Sequence, residues 1–222
     1  MKAYQIKIEL VRSNPLIWRR VIIPAGATFY RLYETIQNSM GWMASFINEM
    51  HLYEFDLRAE NLSITNNTES YNENKFYKYK YKNVKLNGKN DPFDIIAHHI
   101  KTIVRQPKTI KIDTYIEKYK TFHYTYDFGD DWQHLITLEM ILEDYHYGYP
   151  VLIDGQENCP PEDVGGLGGY DEFLKIYNDP CNLHYVETIE WLKEQNYRRF
   201  NKDFINSMLK FIKFKKTEWD KI

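Results

Sequence analysis

No apolar run in this chain of 222 residues approaches the roughly 20 needed to cross a bilayer. A membrane partner is therefore not expected. The opening Met1-Lys-Ala-Tyr-Gln-Ile also lacks the apolar core of an export signal, so a cytoplasmic location, with reduced thiols, is the expectation. Cysteine is nearly absent. Cys159 and Cys181 are the only two, and no C-x-x-C occurs, which excludes a disulfide framework and an all-cysteine zinc site. Basic residues are missing from one long stretch: between Lys120 and Lys175 there is no lysine or arginine.

That stretch holds 12 of the 31 acidic residues, leaving 29 basic residues against 19 acidic ones elsewhere. A net charge of −2 thus conceals a local −12 beside +10. Such asymmetry speaks about partners rather than fold. What is abundant is aromatic: 16% of residues, with 19 tyrosines, in a chain that is 43% hydrophobic. Disorder is excluded for most of the length, and half-wet strand faces are the plain use for so much tyrosine.

Periodicity predicts an α+β fold with a mixed or antiparallel sheet. It begins β-β-α-β, has a later β-hairpin, and ends in helices packed on one side. Strands are read at Tyr4–Val11 and Leu16–Ile23 from their alternation. Thr28 then caps a helix whose stripe is Phe29, Leu32, Tyr33, Ile36 and Met40, stopped at Gly41. His51–Leu57 returns as a strand. Further strands are expected near Thr109–Ile112, Phe122–Phe128 and His134–Leu142, with Gly129-Asp130-Asp131 turning the last pair. Pro150–Gly169 reads as a long loop, followed by helices near Tyr170–Tyr177, Leu183–Gln195 and Lys202–Phe214. One domain over 1–196 is expected, interrupted by an insertion at about 59–108. A basic amphipathic helix at 197–222 follows, ending in Lys210, Lys213, Lys215 and Lys216.

Within the insertion, Asp91-Pro92 opens a helix on which the adjacent His98 and His99 diverge too far to share a metal. Tyr77-Lys-Tyr-Lys-Tyr-Lys82 alternates strictly and predicts a strand, with Tyr77, Tyr79 and Tyr81 opposite Lys78, Lys80 and Lys82. A solvated hairpin face is the plain reading. Single-stranded nucleic-acid binding through stacking and phosphate contacts is the functional one, and it is not favoured.

The acidic stretch contains the two unusual local sequences. Gly165-Gly166-Leu167-Gly168-Gly169 precedes a helix, but Glu162, Asp163, Asp171 and Glu172 flank it and no Lys-Ser/Thr follows. Four negative charges outweigh the half charge of a helix N-terminus, so these glycines read as close-packing positions rather than a phosphate cradle. Asp127, Asp130, Asp131 and His134 surround the hairpin turn. Carboxylates at a turn commonly cap backbone N–H groups. Alternatively these four are metal ligands, since no internal lysine or arginine neutralises them. Cys159, Glu162 and Asp163 would join them if the long loop folds back, with His51 and His134 at the same sheet end and Glu162 or Asp163 beside Trp132 or His134. Both readings stay open on the sequence.

Four segments, in order, resemble one known family. They are Asn14-Pro-Leu-Ile-Trp-Arg-Arg20; Met40-Gly41-Trp42 with His51-Leu-Tyr-Glu-Phe55; Tyr124-Thr-Tyr-Asp-Phe-Gly-Asp-Asp-Trp-Gln-His134; and Cys159-Pro-Pro-Glu-Asp-Val-Gly-Gly166 running to Tyr170. The chain is similar there to the plasmid pRi ORF-three-like family, also known as insertion-element passenger proteins. The resemblance implies a single α+β domain carried on plasmids, transposons and chromosomes, and it implies no established activity. The expectation is a mobile-element accessory protein, a non-enzymatic binding module whose acidic face engages a basic protein partner. A metal-dependent hydrolase built on the Asp127–His134 cluster is the alternative. No cofactor is required by any motif; a divalent metal is the one the cluster would take.

Overall fold

The computed structural model describes residues 1–42, 51–82, 101–195 and 197–212. Among these residues eight strands form one mixed sheet and six helices accompany it, the α+β class expected. The strands are β1 (Ala3–Leu10), β2 (Trp18–Pro24), β3 (Tyr53–Leu57), β4 (Leu62–Thr65), β5 (Ile103–Arg105), β6 (Thr121–Tyr126), β7 (Trp132–Leu142) and β8 (Val151–Gln156). Their order in the sheet is β5-β4-β3-β6-β7-β1-β2-β8. Only β4 and β5 pair in parallel. The helices are α1 (Phe29–Met40), α2 (Thr68–Lys80), α3 (Asp113–Tyr119), α4 (Gly166–Tyr177), α5 (Tyr185–Glu194) and α6 (Lys202–Leu209). No helix among the described residues is long and apolar enough to cross a membrane.

Alternation decides which face of the sheet is covered. Tyr4, Ile6, Ile8 and Leu10 of β1 are fully buried, as are Phe55 of β3, Tyr124 of β6 and Trp132, His134 and Ile136 of β7. Their neighbours on the other face, such as Lys7, Arg20, His123 and Gln133, reach solvent, the pattern of a sheet with one wet side. Helix α1 lies against the dry side. Thr28 caps it by accepting from Arg31 N–H, Gly41 ends it at φ +117°, and Phe29, Leu32, Ile36 and Met40 are buried.

Both edges of the sheet are closed by an asparagine from a helix. On β8, Asn206 of α6 accepts from Leu152 N–H at 2.8 Å and donates to Leu152 C=O at 3.1 Å. On β5, Asn74 of α2 accepts from Val104 N–H at 3.3 Å and donates to Thr102 C=O at 2.9 Å. Each amide side chain stands where a neighbouring strand would pair, which blocks edge-to-edge association.

Several sequence expectations need correction. Tyr77–Lys82 is not a strand: residues up to Lys80 belong to α2, capped by Asn67 accepting from Ser70 N–H. Tyr77, Tyr79 and Tyr81 therefore do not share a face. Tyr77 and Tyr81, four apart, stack instead with centroids 6.1 Å apart. Lysine and glutamate are good helix formers, and Asn74 supplies the tertiary anchor that alternation could not show. Near Thr109–Ile112 there is only an isolated bridge, Thr28 to Lys111, followed by α3. The loop expected at Pro150–Gly169 holds strand β8, and α4 begins inside its far end. The stretch between 59 and 108 supplies β4, α2 and β5, which extend the sheet. The helix opened by Asp91-Pro92, with His98 and His99, and the terminal Lys213, Lys215 and Lys216 lie outside the described residues. Helix α6 packs Ile205 and Leu209 inward against α1 and β8.

Candidate functional site

Strand register brings the site together. Tyr53 pairs with Tyr126, and Tyr126 pairs with Trp132, so the start of β3, the end of β6 and the start of β7 share one end of the sheet. Asp127 N–H donates to Leu52 C=O at 2.9 Å, fixing the hairpin turn beside the segment that carries His51. Asn66 holds that segment from the other side, donating to His51 C=O at 3.0 Å and accepting from Tyr53 N–H at 2.8 Å. The loop from Glu157 to Gly165 then folds across the end. Trp42 Nε1–H donates to Pro160 C=O at 2.9 Å, Tyr126 O–H to Glu162 Oε1 at 3.0 Å, and Gly165 N–H to Asp130 Oδ2 at 3.2 Å.

Three side chains from distant parts of the chain converge there. His51 Nδ1 lies 3.1 Å from Asp127 Oδ2, and His51, Asp127 and Asp163 each place one ligand atom within 4.8 Å of the others. His51 and Asp127 are 23% and 13% exposed, so the pair is sheltered but reachable. Asp127 and Asp163 both adopt left-handed backbone, at φ +52° and +55°. Aspartate tolerates that conformation better than most residues; Asp127 is sheltered at the sheet end, while Asp163 stands on the exposed side of the trio. One imidazole and two carboxylates suit a borderline or hard divalent ion, with coordination positions left open for water or substrate.

Glu162 stands beside this trio. Its Oε1 accepts from Tyr126, while its buried Oε2 has no partner among the described residues. Burial pushes its carboxyl up to about 7, against the pull of the Tyr126 hydrogen bond and of His51; Asp163 and Asp127 add to the rise. A carboxyl whose folded pKa is raised binds its proton more tightly in the folded state. Stability is therefore fullest below the ordinary glutamate range near pH 4.5 and declines as pH rises toward 7. Glu162→Gln is expected to flatten that decline and to be the more stable protein at pH 8 by about 1–3 kcal/mol. Urea midpoints of the two proteins from pH 4 to 8 would check it, and parallel curves would show that Glu162 is not desolvated.

The other candidate residues serve different ends. Asp130 accepts from Gly165 N–H, and Asp131 accepts from Gln133 Nε2–H at 2.9 Å, so neither turns into the trio. His134 is fully buried, its Nδ1 at 3.1 Å from Trp132 C=O, and burial lowers its pKa to about 4. It stays neutral and belongs to an aromatic layer beneath the site, where Trp42 lies 5.5 Å from His134, 5.8 Å from Trp132 and 5.0 Å from Tyr126. Cys159 is buried next to Gly41, and burial raises its thiol well above the usual range. The metal set expected as Asp127, Asp130, Asp131 and His134 thus meets only at Asp127.

Tyr126, Trp42 and Arg19 carry weight that the sequence reading did not assign. Arg19 is fully buried and donates to the carbonyls of Trp18, Ser39, Met40, Gln156 and Glu157, anchoring the loop at its root. Its signal was present: alternation along β2 puts Arg19 in phase with Val21 and Ile23, an inward position no cation takes without a reason.

Comparison with known proteins agrees with the four-segment resemblance. The family model of the plasmid pRiA4b ORF-3-like protein matches residues 2–208. The uncharacterized protein y4hQ of Sinorhizobium fredii is 30% identical over 193 residues, covering 87% of this chain and 82% of its own. A crystal structure of a protein of unknown function, MM3350 from Methanosarcina mazei, superposes with a TM-score of 0.64 at 28% identity, covering 91% of this chain and 96% of that one.

Proposed function

This chain belongs to the plasmid pRiA4b ORF-3-like family, and from the centre at its sheet end we propose that it is a divalent-metal-dependent hydrolase. One observation carries the reading: His51, Asp127 and Asp163, far apart in sequence, bring ligand atoms within 4.8 Å of one another. One ring nitrogen of His51 and one oxygen each of Asp127 and Asp163 would hold the ion. A divalent ion there supplies Lewis acidity and makes water a stronger acid. Glu162 Oε2 is the proton acceptor, and its protonated form returns the proton to the leaving group. Tyr126 holds the opposite oxygen and so fixes the carboxyl's direction. The aromatic layer of Trp42, Trp132 and Tyr126 keeps water from the inner side.

Titration with magnesium, manganese and zinc tests the reading. At about 100 times the dissociation constant, binding adds roughly 2.7 kcal/mol, which for a chain of this size raises the melting temperature by about 5–10 °C. Asp127→Asn is expected to abolish the rise. Glu162→Gln should keep it while losing turnover of chromogenic ester or phosphodiester substrates. Absence of binding below about millimolar for all three ions would end the proposal.

A second reading of the same surface has its own support. The hairpin and loop carry Asp127, Asp130, Asp131, Glu162 and Asp163, with no lysine or arginine from 121 to 174. A lysine-rich protein segment would complement them, as a binding module requires. Metal-independent, salt-sensitive capture of a lysine-rich peptide would favour this reading over the hydrolase.

A further inference from the structure

Helix α2 is built unlike the other helices. Its C-terminal half carries Lys75, Lys78 and Lys80, with Lys82 just beyond, and it exposes two large rings, Phe76 at 56% and Tyr79 at 84%. Among the described residues none of these lysines pairs with a carboxylate within 4.0 Å, and neither does Arg105 of the adjoining β5, whose guanidinium donates only to Val104 C=O. Phe76, Tyr79 and Lys80 are three and four residues apart and so share one stripe, with Glu73 a turn before Phe76 at its N-terminal end. Lys80 Nζ lies 5.5 Å from the Phe76 ring and 5.3 Å from the Tyr81 ring. Lysines in a last turn also complement a helix dipole, which gives them a structural use. The dipole gives no reason to hold aromatic rings in water.

We infer that the exposed C-terminal half of α2, with the rings on one face and Lys78 beside Arg105 on another, binds a single-stranded nucleic acid that wraps it. The chemistry fits in two parts. Flat, exposed rings take unpaired bases by stacking without regard to sequence, and ammonium and guanidinium groups take the phosphates between them. A duplex offers the phosphates but hides the base faces. Charge complementarity also sets the position on the molecule. The acidic hairpin and loop would repel a phosphate chain, whereas α2 and β5 come from the stretch between 59 and 108, outside the acidic run. Lys78 and Arg105 lie close enough for the arginine's charge to lower the lysine's pKa, beside the larger effect of burial. A phosphate seated between them relieves that repulsion.

Fluorescence anisotropy with labelled oligo-dT and oligo-U of about 15 nucleotides, a duplex of the same length, and heparin tests the inference. The single strands are expected to bind more tightly than the duplex at 50 mM salt. Log affinity should fall with log salt at a slope near −3, about four phosphate contacts at 0.7 each. Tyr79→Ala and Phe76→Ala should each weaken single-strand binding about tenfold and leave heparin unchanged, because only the bases stack. Lys78→Gln and Arg105→Gln should each reduce the slope by about 0.7. Equal binding of oligo-dT and oligo-U supports a stacking platform, and so does a preference for either. No binding at 50 mM salt would overturn the inference. So would single-strand affinity unaffected by both ring substitutions, which would mean a polyanion patch only. All four positions are at least partly exposed, and circular dichroism separates loss of binding from loss of fold.

Discussion

Replacing Arg19 by methionine is expected to destabilise this protein by about 4 kcal/mol or more, a drop of roughly 8–16 °C in melting temperature. The size follows from what the guanidinium does. It is fully buried, and its Nε donates to Ser39 C=O at 2.8 Å. Nη1 donates to Trp18 and Gln156 at 2.8 and 2.7 Å; Nη2 donates to Glu157 and Met40 at 2.9 and 3.4 Å. Its flat side lies 4.3 Å from the centre of the Phe200 ring. Ser39 and Met40 are in the last turn of α1, where carbonyls have no partner within the helix and carry the negative end of its dipole. Burial lowers the guanidinium's pKa to about 10, so it remains charged at neutral pH. Methionine fills the volume but leaves five carbonyls without this donor, those of Ser39 and Met40 in buried bonds and those of Trp18, Gln156 and Glu157 in part-buried ones. A buried acceptor costs about 1–3 kcal/mol when unmet and a part-buried one less. Relaxation and entering water recover part of that sum. Arg19→Lys should recover little, because an ammonium has three donors and no planar fork. Urea denaturation of the three proteins decides the matter. A loss below 1 kcal/mol for methionine would mean that the carbonyls find other partners and that Arg19 is not the link between α1 and β8.

The sequence made some of this visible and hid the rest for definite reasons. Helix α1 was legible because its start, stripe and stop are all local: Thr28 caps it, Phe29 to Met40 keep period, and Gly41 ends it. The β6–β7 hairpin was legible for the same reason, and the turn carboxylates do cap backbone N–H groups, Asp127 that of Gly129 and Asp130 that of Gly165. Strand β8 was hidden because it is a short edge strand containing Asp154-Gly155, and its pairing with β2 is a long-range fact. Helix α2 was hidden because a strict Tyr-Lys alternation satisfies the strand period, while the decisive contact, Asn74 on Val104, lies thirty residues away. The metal trio was only half legible. Both unusual segments stand out in the sequence, yet which carboxylates face His51 depends on backbone at Asp127 and Asp163 that turns left-handed. No residue pattern announces that.

Gly169→Ala is expected to weaken metal binding about tenfold to a hundredfold while the sheet stays folded. At this position a methyl group would lie 1.8 Å from Val164 C=O, whereas real contacts of that kind are essentially never closer than 3.0 Å. The carbonyl must therefore retreat by more than about 1 Å, and overpacking of this kind costs about 1–3 kcal/mol. Val164 follows Asp163 directly, and the same loop carries Glu162. Moving it draws both carboxylates away from His51 and Asp127, which are fixed on the other side by Leu52 and Asn66. Gly166 makes the companion contact: a methyl there would meet Asp130 C=O at 2.6 Å, and its φ of +66° disfavours any side chain. Gly168 is the internal control. Nothing lies within 4 Å of a methyl at that position, so Gly168→Ala in helix α4 should keep metal affinity and gain up to about 1 kcal/mol. Calorimetric titration of manganese or zinc into the three proteins, with circular dichroism of each, gives the answer. Wild-type affinity in a folded Gly169→Ala protein would show that the loop bearing Asp163 does not hold the ion, and the proposed three-residue centre would be wrong.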